Sequence, residues 1–261
     1  MKLRAYQVDA FTETVFCGNP AVVVMLESKP DDQTLLKIAR ENAVPETAYI
    51  LPEGSGYNLR WFTPDIEMDL CGHATLASAH VLFTEEGFEG DEITFTSLSG
   101  ELTVKREDGM YLLNFPIREG HKAVLPAEIF DSLNIKPVEV YKSRDFMLVY
   151  TKQSEIENLE INRGIFDEIN INPGGVIVTA PGTDCDFVSR FFTPQATILE
   201  DPVTGSAHCT LAPYWSKRLG KTELHARQIS ERGGTLYLTL TQERVIIKGK
   251  AVTFSRSHIY I

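Results

Sequence analysis

The chain has 261 residues, with 25 Lys and Arg against 36 Asp and Glu and a formal charge of −11. A hydrophobic share of 43% and a charged share of 23% are those of a folded globular protein, which excludes disordered, collagenous and low-complexity classes. So acidic a chain lacks the basic face of a nucleic-acid binder, while a local positive pocket for a small anion stays compatible with it.

The opening segment, MKLRAYQVDAF, alternates polar and apolar residues and reads as a strand, with 8–11 its clearest part, rather than a secretory signal. The longest apolar run, residues 21–26, is far short of the ~20 residues a membrane helix needs. A helix is predicted over 31–41, with Leu35, Leu36, Ile38 and Ala39 on its apolar side and Asp31 or Asp32 as its N-cap. Strands follow at 46–51 and 58–63, bounded by Gly54 and Gly56. A second helix starts near Gly72 and reads HATLASAHVLF after it; almost uncharged until Glu85, it is predicted to be buried on most sides. Strands at 92–96, 101–105 and 110–115 close the first half.

The second half repeats the plan. A helix is predicted over 126–133 and strands over 138–142, 146–151, 175–180 and 186–192. Another uncharged helix, GSAHCTLAPYW, opens at Gly205, and strands at 236–241, 244–248 and 257–261 end the chain. Residues repeat as well as elements. Phe62-Thr63-Pro64 recurs as Phe192-Thr193-Pro194, and Gly72-His73-Ala74 as Gly205-Ser206-Ala207. The offsets are 130 and 133, so a three-residue insertion separates two copies. Coincidence between short tripeptides is the competing explanation; the shared order of elements favours duplication.

Both apolar helices open on Gly-x-Ala. A helix N-terminus offers unpaired N–H groups and a partial positive charge, which together suit a carboxylate. The competing reading is that each Gly merely caps a buried helix. His73 lies in the first turn, where the helix end is expected to lower its pKa and keep the imidazole neutral. His80 shares its helix face, but no HExxH or Cys/His cluster supports a metal. Asp201 is biased towards an extended conformation by Pro202, and Glu46 follows Pro45 at the mouth of a strand. With His73 these carboxylates make an acid/base set; singly, each reads as a solvated surface group. Cys71 precedes Gly72, where a helix end would lower a thiol pKa. Its repeat partner is Thr204 by one alignment and Asp201 by the other, so a two-thiol mechanism lacks its second thiol. No GxGxxG, Walker A or GxSxG motif is present, and no cofactor or metal is indicated. The cysteines at 17, 71, 185 and 209 show no CxxC spacing, which points to reduced thiols in a cytoplasmic setting.

These motifs resemble the phenazine-biosynthesis PhzF-like family, which shares the diaminopimelate epimerase fold. The likeness runs in order through Gln7-Val8-Asp9-Ala10-Phe11-Thr12, Phe16-x-Gly18-Asn19-Pro20-Ala21, Pro45-Glu46-Thr47-Ala48-Tyr49, Arg60-Trp61-Phe62-Thr63-Pro64, Cys71-Gly72-His73-Ala74-Thr75 and Glu200-Asp201-Pro202-Val203-Thr204-Gly205-Ser206-Ala207. The chain departs at Pro45, where the family often has Ser, and it is somewhat short for the family. The resemblance implies an α+β fold of two pseudo-symmetric halves, each a bent, barrel-like sheet around a central helix, with the active site between them. The halves would be 1–116 and 117–251, with a C-terminal strand at about 252–261 returning to the first. It also implies homodimers, Glu46 as the proton-transfer residue, and His73, Asp201 and Ser206 completing the site, with Gly72 and Gly205 lining the helix ends. Related epimerases use two opposed cysteines; Cys71 matches the first, and the second falls near Pro202.

The expectation is therefore a cofactor-independent cytoplasmic isomerase acting on a small carboxylated metabolite, with Glu46, His73 and Asp201 catalytic and Gly72, Gly205 and Ser206 binding substrate. No nucleic acid or membrane is expected as a partner. The alternatives are a non-catalytic small-molecule-binding or scaffold protein using the same cleft, and a Cys71-dependent racemase.

Overall fold

The alternating N-terminal segment forms β1 (Lys2–Ala10), flanked on both sides by antiparallel strands: β2 (Asn19–Met25) and the C-terminal strand Ala251–Tyr260. The computed structural model that shows this describes residues 2–171 and 174–261. By internal contacts the chain divides into two units, Met1–Asn114 with Ile247–Ile261, and Phe115–Ile246.

In the first unit β2 is buried along its whole length, as a continuous apolar run requires of a strand covered on both faces. α1 (Asp32–Asn42) carries the chain across to β3 (Glu46–Glu53), which runs parallel to β2 and antiparallel to β4 (Gly56–Phe62). Asp31 caps α1, its carboxylate accepting from Thr34 N at 2.9 Å, and Leu35, Ile38 and Ala39 bury the helix against this sheet. β5 (Glu67–Met68) then pairs with β4 and leads into α2 (Gly72–Thr84). Every residue of α2 from Gly72 to Phe83 is buried, and the helix packs on β1, β2 and β3. Its hydroxyls bond backwards: Ser78 Oγ donates to Ala74 O at 2.7 Å and Thr84 Oγ1 to His80 O at 2.7 Å, so an all-round buried helix carries no unpaired hydroxyl at these positions.

The second unit has the same parts. Strand Phe146–Val149 runs parallel to Val176–Pro181, which pairs antiparallel with Phe187–Phe192. The correspondence reaches single contacts. Arg60 forks onto Glu67 at 2.6 and 2.7 Å and stacks on Phe62; Arg190 forks onto Glu200 at 2.7 and 2.8 Å and stacks on Phe192. Phe62 faces Glu67 and Phe192 faces Glu200 in register, while Thr63 N bonds Ile66 O and Thr193 N bonds Leu199 O. The three-residue insertion therefore lies in the turn between Thr193 and Leu199. Each bidentate clamp fixes the short strand that delivers a helix start.

The structure departs from the sequence reading in three places. The segment from Gly205 opens as one 3-10 turn, Gly205–Ala207, before the α-helix His208–Leu219. The reason is local: His208 uses its ring Nδ1–H, not its backbone amide, to donate to Thr204 O at 2.8 Å, and the amide turns to Gly205 O. β2 and the strand Glu223–Gln228 were not predicted as strands, nor were the short helices Gln153–Glu157 and Arg163–Phe166. His80 joins no metal pair; it fastens the C-terminal strand. Tyr111 O–H donates to its Nδ1 at 2.9 Å, its Nε2–H donates to Thr253 Oγ1 at 2.9 Å, and Thr253 donates to Glu85, which Arg256 grips.

Burial pushes the His80 pKa down to about 4. In the unfolded chain the group titrates near its ordinary value, so between about 6.5 and 4 the unfolded state binds a proton that the folded state refuses. Stability therefore falls as pH drops through that window, and this group has no such effect above it. Replacing His80 with Asn is expected to shrink the loss of unfolding free energy between pH 7 and pH 5 by about 2 kcal/mol, at ~1.4 kcal/mol per pH unit below 6.5. Urea unfolding at the two pH values checks this; an unchanged difference contradicts it.

Candidate active site

Three elements of the first unit converge on one imidazole. Cys71 is the extended N-cap of α2, and His73 is the second residue of that helix. Glu46 begins β3, opposite Ala21 of β2. Asn19 begins β2, opposite Ala10 of β1. Gly18 makes the entry to Asn19 possible: its φ is +67°, and a Cβ there would collide with the Ala10 carbonyl.

Glu46 Oε2 lies 3.0 Å from His73 Nε2. Asn19 Nδ2 lies 3.0 Å from His73 Nδ1, and Cys71 Sγ approaches the same nitrogen at 3.6 Å. The His73 side chain is 4% exposed and that of Glu46 15%. Of this pair only the Glu46 side chain keeps some exposure, and its Oε2, like His73 Nε2, is buried.

The electrostatics reverse the expected direction for His73. Burial lowers its pKa, but its contacts with Cys71 and Glu46 outweigh burial and raise it well above the ordinary histidine value. A helix end acting alone would have lowered it. Cys71 also moves opposite to expectation, since burial raises its thiol pKa and the Glu46 charge adds to the rise. The thiol is therefore held protonated rather than primed as a nucleophile.

Glu46, Cys71 and His73 place one ligand atom each within 4.8 Å of one another, a donor set known for zinc. The ring orientation does not suit one ion. Cys71 faces Nδ1 and Glu46 faces Nε2, and a metal takes only one of these nitrogens.

Asp201, Gly205 and Ser206 belong to the second unit. Asp201 Oδ2 accepts from Thr204 Oγ1 at 2.5 Å. Gln228, fully buried, clamps this loop: its Oε1 accepts from Thr204 N at 2.8 Å, and its Nε2 donates to Asp201 O at 2.7 Å. Gly205 and Ser206 form the 3-10 turn, with Gly205 buried and Ser206 half-buried. The strand register shows what the second unit has where the first has its pair. Thr47 faces Phe62 and Val176 faces Phe192, so Gly175 stands in the place of Glu46. A Cβ on Gly175 would strike the Phe191 ring, and its N–H donates to the buried Asp145 carboxylate at 2.9 Å. Ser206 stands in the place of His73, and Thr204 in that of Cys71. The acid/base pair exists in one copy.

Sequence reasoning gave no role to Asn19 or Gln228. Asn19 had a signal, the Gly-Asn-Pro run that grips its backbone from both sides. Gln228 had none, because a polar residue in an alternating strand reads as surface.

A family model described as phenazine biosynthesis-like protein matches residues 8–257. An uncharacterized isomerase of Pseudomonas aeruginosa is 45% identical over 260 residues, covering 99% of each chain. The crystal structure of a phenazine biosynthesis protein of the PhzF family from Enterococcus faecalis superposes with a TM-score of 0.95 at 43% identity, over 100% of both chains. A probable proline racemase from Agrobacterium radiobacter shares the fold at 12% identity, with a TM-score of 0.69 over 99% of this chain and 93% of its own. No helix among the described residues is long and apolar enough to cross a membrane.

The Cys71 geometry makes a direct prediction. In the folded protein near neutral pH, iodoacetamide is expected to label half-buried Cys17 well before Cys71, as read by peptide mass mapping. Rapid alkylation of Cys71 under those conditions would contradict its burial and raised pKa.

Proposed function

Because this chain belongs to the phenazine biosynthesis-like family, we propose that it is an isomerase that moves a proton within a small carboxylated metabolite, using Glu46 and no cofactor. The observation that carries this reading is the pairing of a partly open carboxylate with a buried imidazole, 3.0 Å apart.

The Glu46 carboxylate takes a proton from a carbon next to an activating group. The C–H electron pair enters the adjoining π system, and the protonated Glu46 returns the proton at the far end of that system. Carboxylate, substrate atoms and electrons are all restored in number, so the step needs no oxidant, reductant or second reactant. His73 sets the affinity of Glu46 for the proton. The backbone amides that open α2 receive the substrate carboxylate. Cys71 makes no side-chain cap there and the first turn holds no acidic residue, which suits these donors to an anion. Asp201 and Ser206 belong to the second unit, where Gln228 and the Arg190–Glu200 clamp hold their loop.

Support for this reading over a two-thiol racemase comes from the copies themselves. The thiol of Cys71 is held protonated, and its counterpart is Thr204.

A mass screen in heavy water tests the proposal. Wild type and Glu46→Gln are incubated with pooled amino, hydroxy and cyclic unsaturated acids. A one-deuteron gain or an isomer peak is expected with wild type, reduced by at least ~10²-fold in Glu46→Gln, the usual size of an acid/base contribution. Equal turnover by Glu46→Gln sinks the assignment of the base. Ligand-induced stabilisation without exchange in any pool would assign the site to binding alone.

A further inference from the structure

The carbonyl of Thr204 decides how the second apolar helix begins. A side chain holds each polar group of Thr204. Gln228 Oε1 accepts from its N–H at 2.8 Å, Asp201 Oδ2 accepts from its hydroxyl at 2.5 Å, and its carbonyl accepts from His208 Nδ1 at 2.8 Å. His208 is fully buried, with its ring against that of Phe187, centroids 5.9 Å apart. A carbonyl only accepts, so Nδ1 carries the ring proton. Burial pushes the His208 pKa down to about 4, so the ring is neutral around pH 7 and its lone pair is on Nε2.

The first copy makes the same junction differently. The offset of the Gly-x-Ala repeat puts Thr75 in the place of His208 and Cys71 in the place of Thr204. There the Cys71 carbonyl accepts from the Thr75 N–H at 3.2 Å and from Thr75 Oγ1 at 2.5 Å, and α2 is α-helical from Gly72. A threonine hydroxyl shares that carbonyl with the amide of its own residue. The His208 ring takes the carbonyl over, the His208 amide turns to Gly205 O, and Gly205–Ala207 close as a 3-10 turn. Such a turn rises about 2.0 Å per residue against ~1.5 Å in an α-helix. Over the 3 residues of the turn, the Gly205 end stands about 1.5 Å further out along the axis than an α-helical start would.

We propose that His208 is a positioning residue whose ring, by holding the Thr204 carbonyl, keeps Gly205 and Ser206 in this outstretched turn. For its catalytic meaning the proposal rests on the isomerase reading, in which Gly205 and Ser206 bind substrate; control of the turn stands apart from that reading. One residue then sets the reach of the second helix start, at a position where the first copy carries threonine.

Two substitutions separate the hydrogen bond of the ring from its bulk. His208→Thr installs the residue of the first copy, and Gly205–Ala207 is expected to join the following segment as α-helix. His208→Asn places an amide Nδ2 near the position of Nδ1, and the 3-10 turn is expected to persist. Crystal structures of the two variants read this without substrate. Deuterium uptake into the pooled acids reads the consequence: it is expected to fall by about 10²-fold in His208→Thr, the cost of a misplacement of ~1 Å, and to be mostly retained in His208→Asn. Ser206→Ala supplies a readout that a merely structural role would not move. It is expected to slow uptake by wild type and by His208→Asn, and to add little in His208→Thr, where Ser206 is already displaced.

A 3-10 turn retained in His208→Thr would overturn the proposal, as would an α-helical turn with undiminished uptake. Additive losses from His208→Thr and Ser206→Ala would overturn it too, because the ring would then act elsewhere than through this turn. If His208→Thr does not fold, wild type and His208→Asn decide. The ring 15N signals of His208, assigned by their loss in His208→Asn, are expected to show a protonated Nδ1 near neutral pH; an unprotonated Nδ1, or loss of the turn in folded His208→Asn, would overturn the proposal. An α-helical turn in His208→Thr together with no uptake by wild type from any pool would uphold the control of the turn by His208 and count against the isomerase reading instead.

Discussion

A carboxylate held 3.0 Å from a buried imidazole is the contact around which the first unit is arranged. Neither group could be placed there by its own element. His73 needs a helix start sunk into the core, and α2 supplies one because it is apolar on every side and returns its hydroxyls to its own carbonyls. Glu46 needs a strand beginning level with that helix start, and the parallel pairing of β3 with β2 fixes it opposite Ala21. Asn19 arrives at the head of β2 only because Gly18 allows the chain to turn against Ala10. The pair is therefore a tertiary product of three strands and a helix.

Duplication explains the frame, and divergence explains the chemistry. Both copies keep the clamp of Arg on Glu with Phe beneath it, because both need a short strand fixed ahead of a helix start. At the positions of the candidate site they part. One copy has Glu46 and His73; the other has Gly175 and Ser206, and closes the space over Gly175 with the Phe191 ring. The chain carries the Glu46–His73 pair in one copy only. Moving a proton out and back on a single group follows from that arrangement more readily than inversion by two opposed groups.

Much of this was legible in the sequence, for identifiable reasons. The uncharged segment after Gly72 announced a buried helix, and FTP followed by Gly-x-Ala announced the repeat. Glu46 stood out through its motif. What was not legible depends on contacts between distant segments. The pKa of His73 was argued from its own helix end, whereas the larger influences come from burial, from Cys71 and from Glu46 on β3. β2 escaped as a strand because a short apolar run lacks the period that separates strand from helix. The 3-10 turn at Gly205 depends on which donor of His208 finds Thr204 O, and no pattern reports that. Gln228 reads as a surface residue until its loop is folded over it.

The central claim is that one group of the first unit takes the proton and gives it back. The most direct measurement uses an acid that the enzyme turns over, deuterated at the carbon that loses its proton and converted in light water. The account predicts that part of the deuterium reappears at the new carbon of the product, detected by mass spectrometry, with configuration retained in recovered substrate. Complete loss of the label with inversion at the original carbon would show two groups working on opposite faces, and would contradict it.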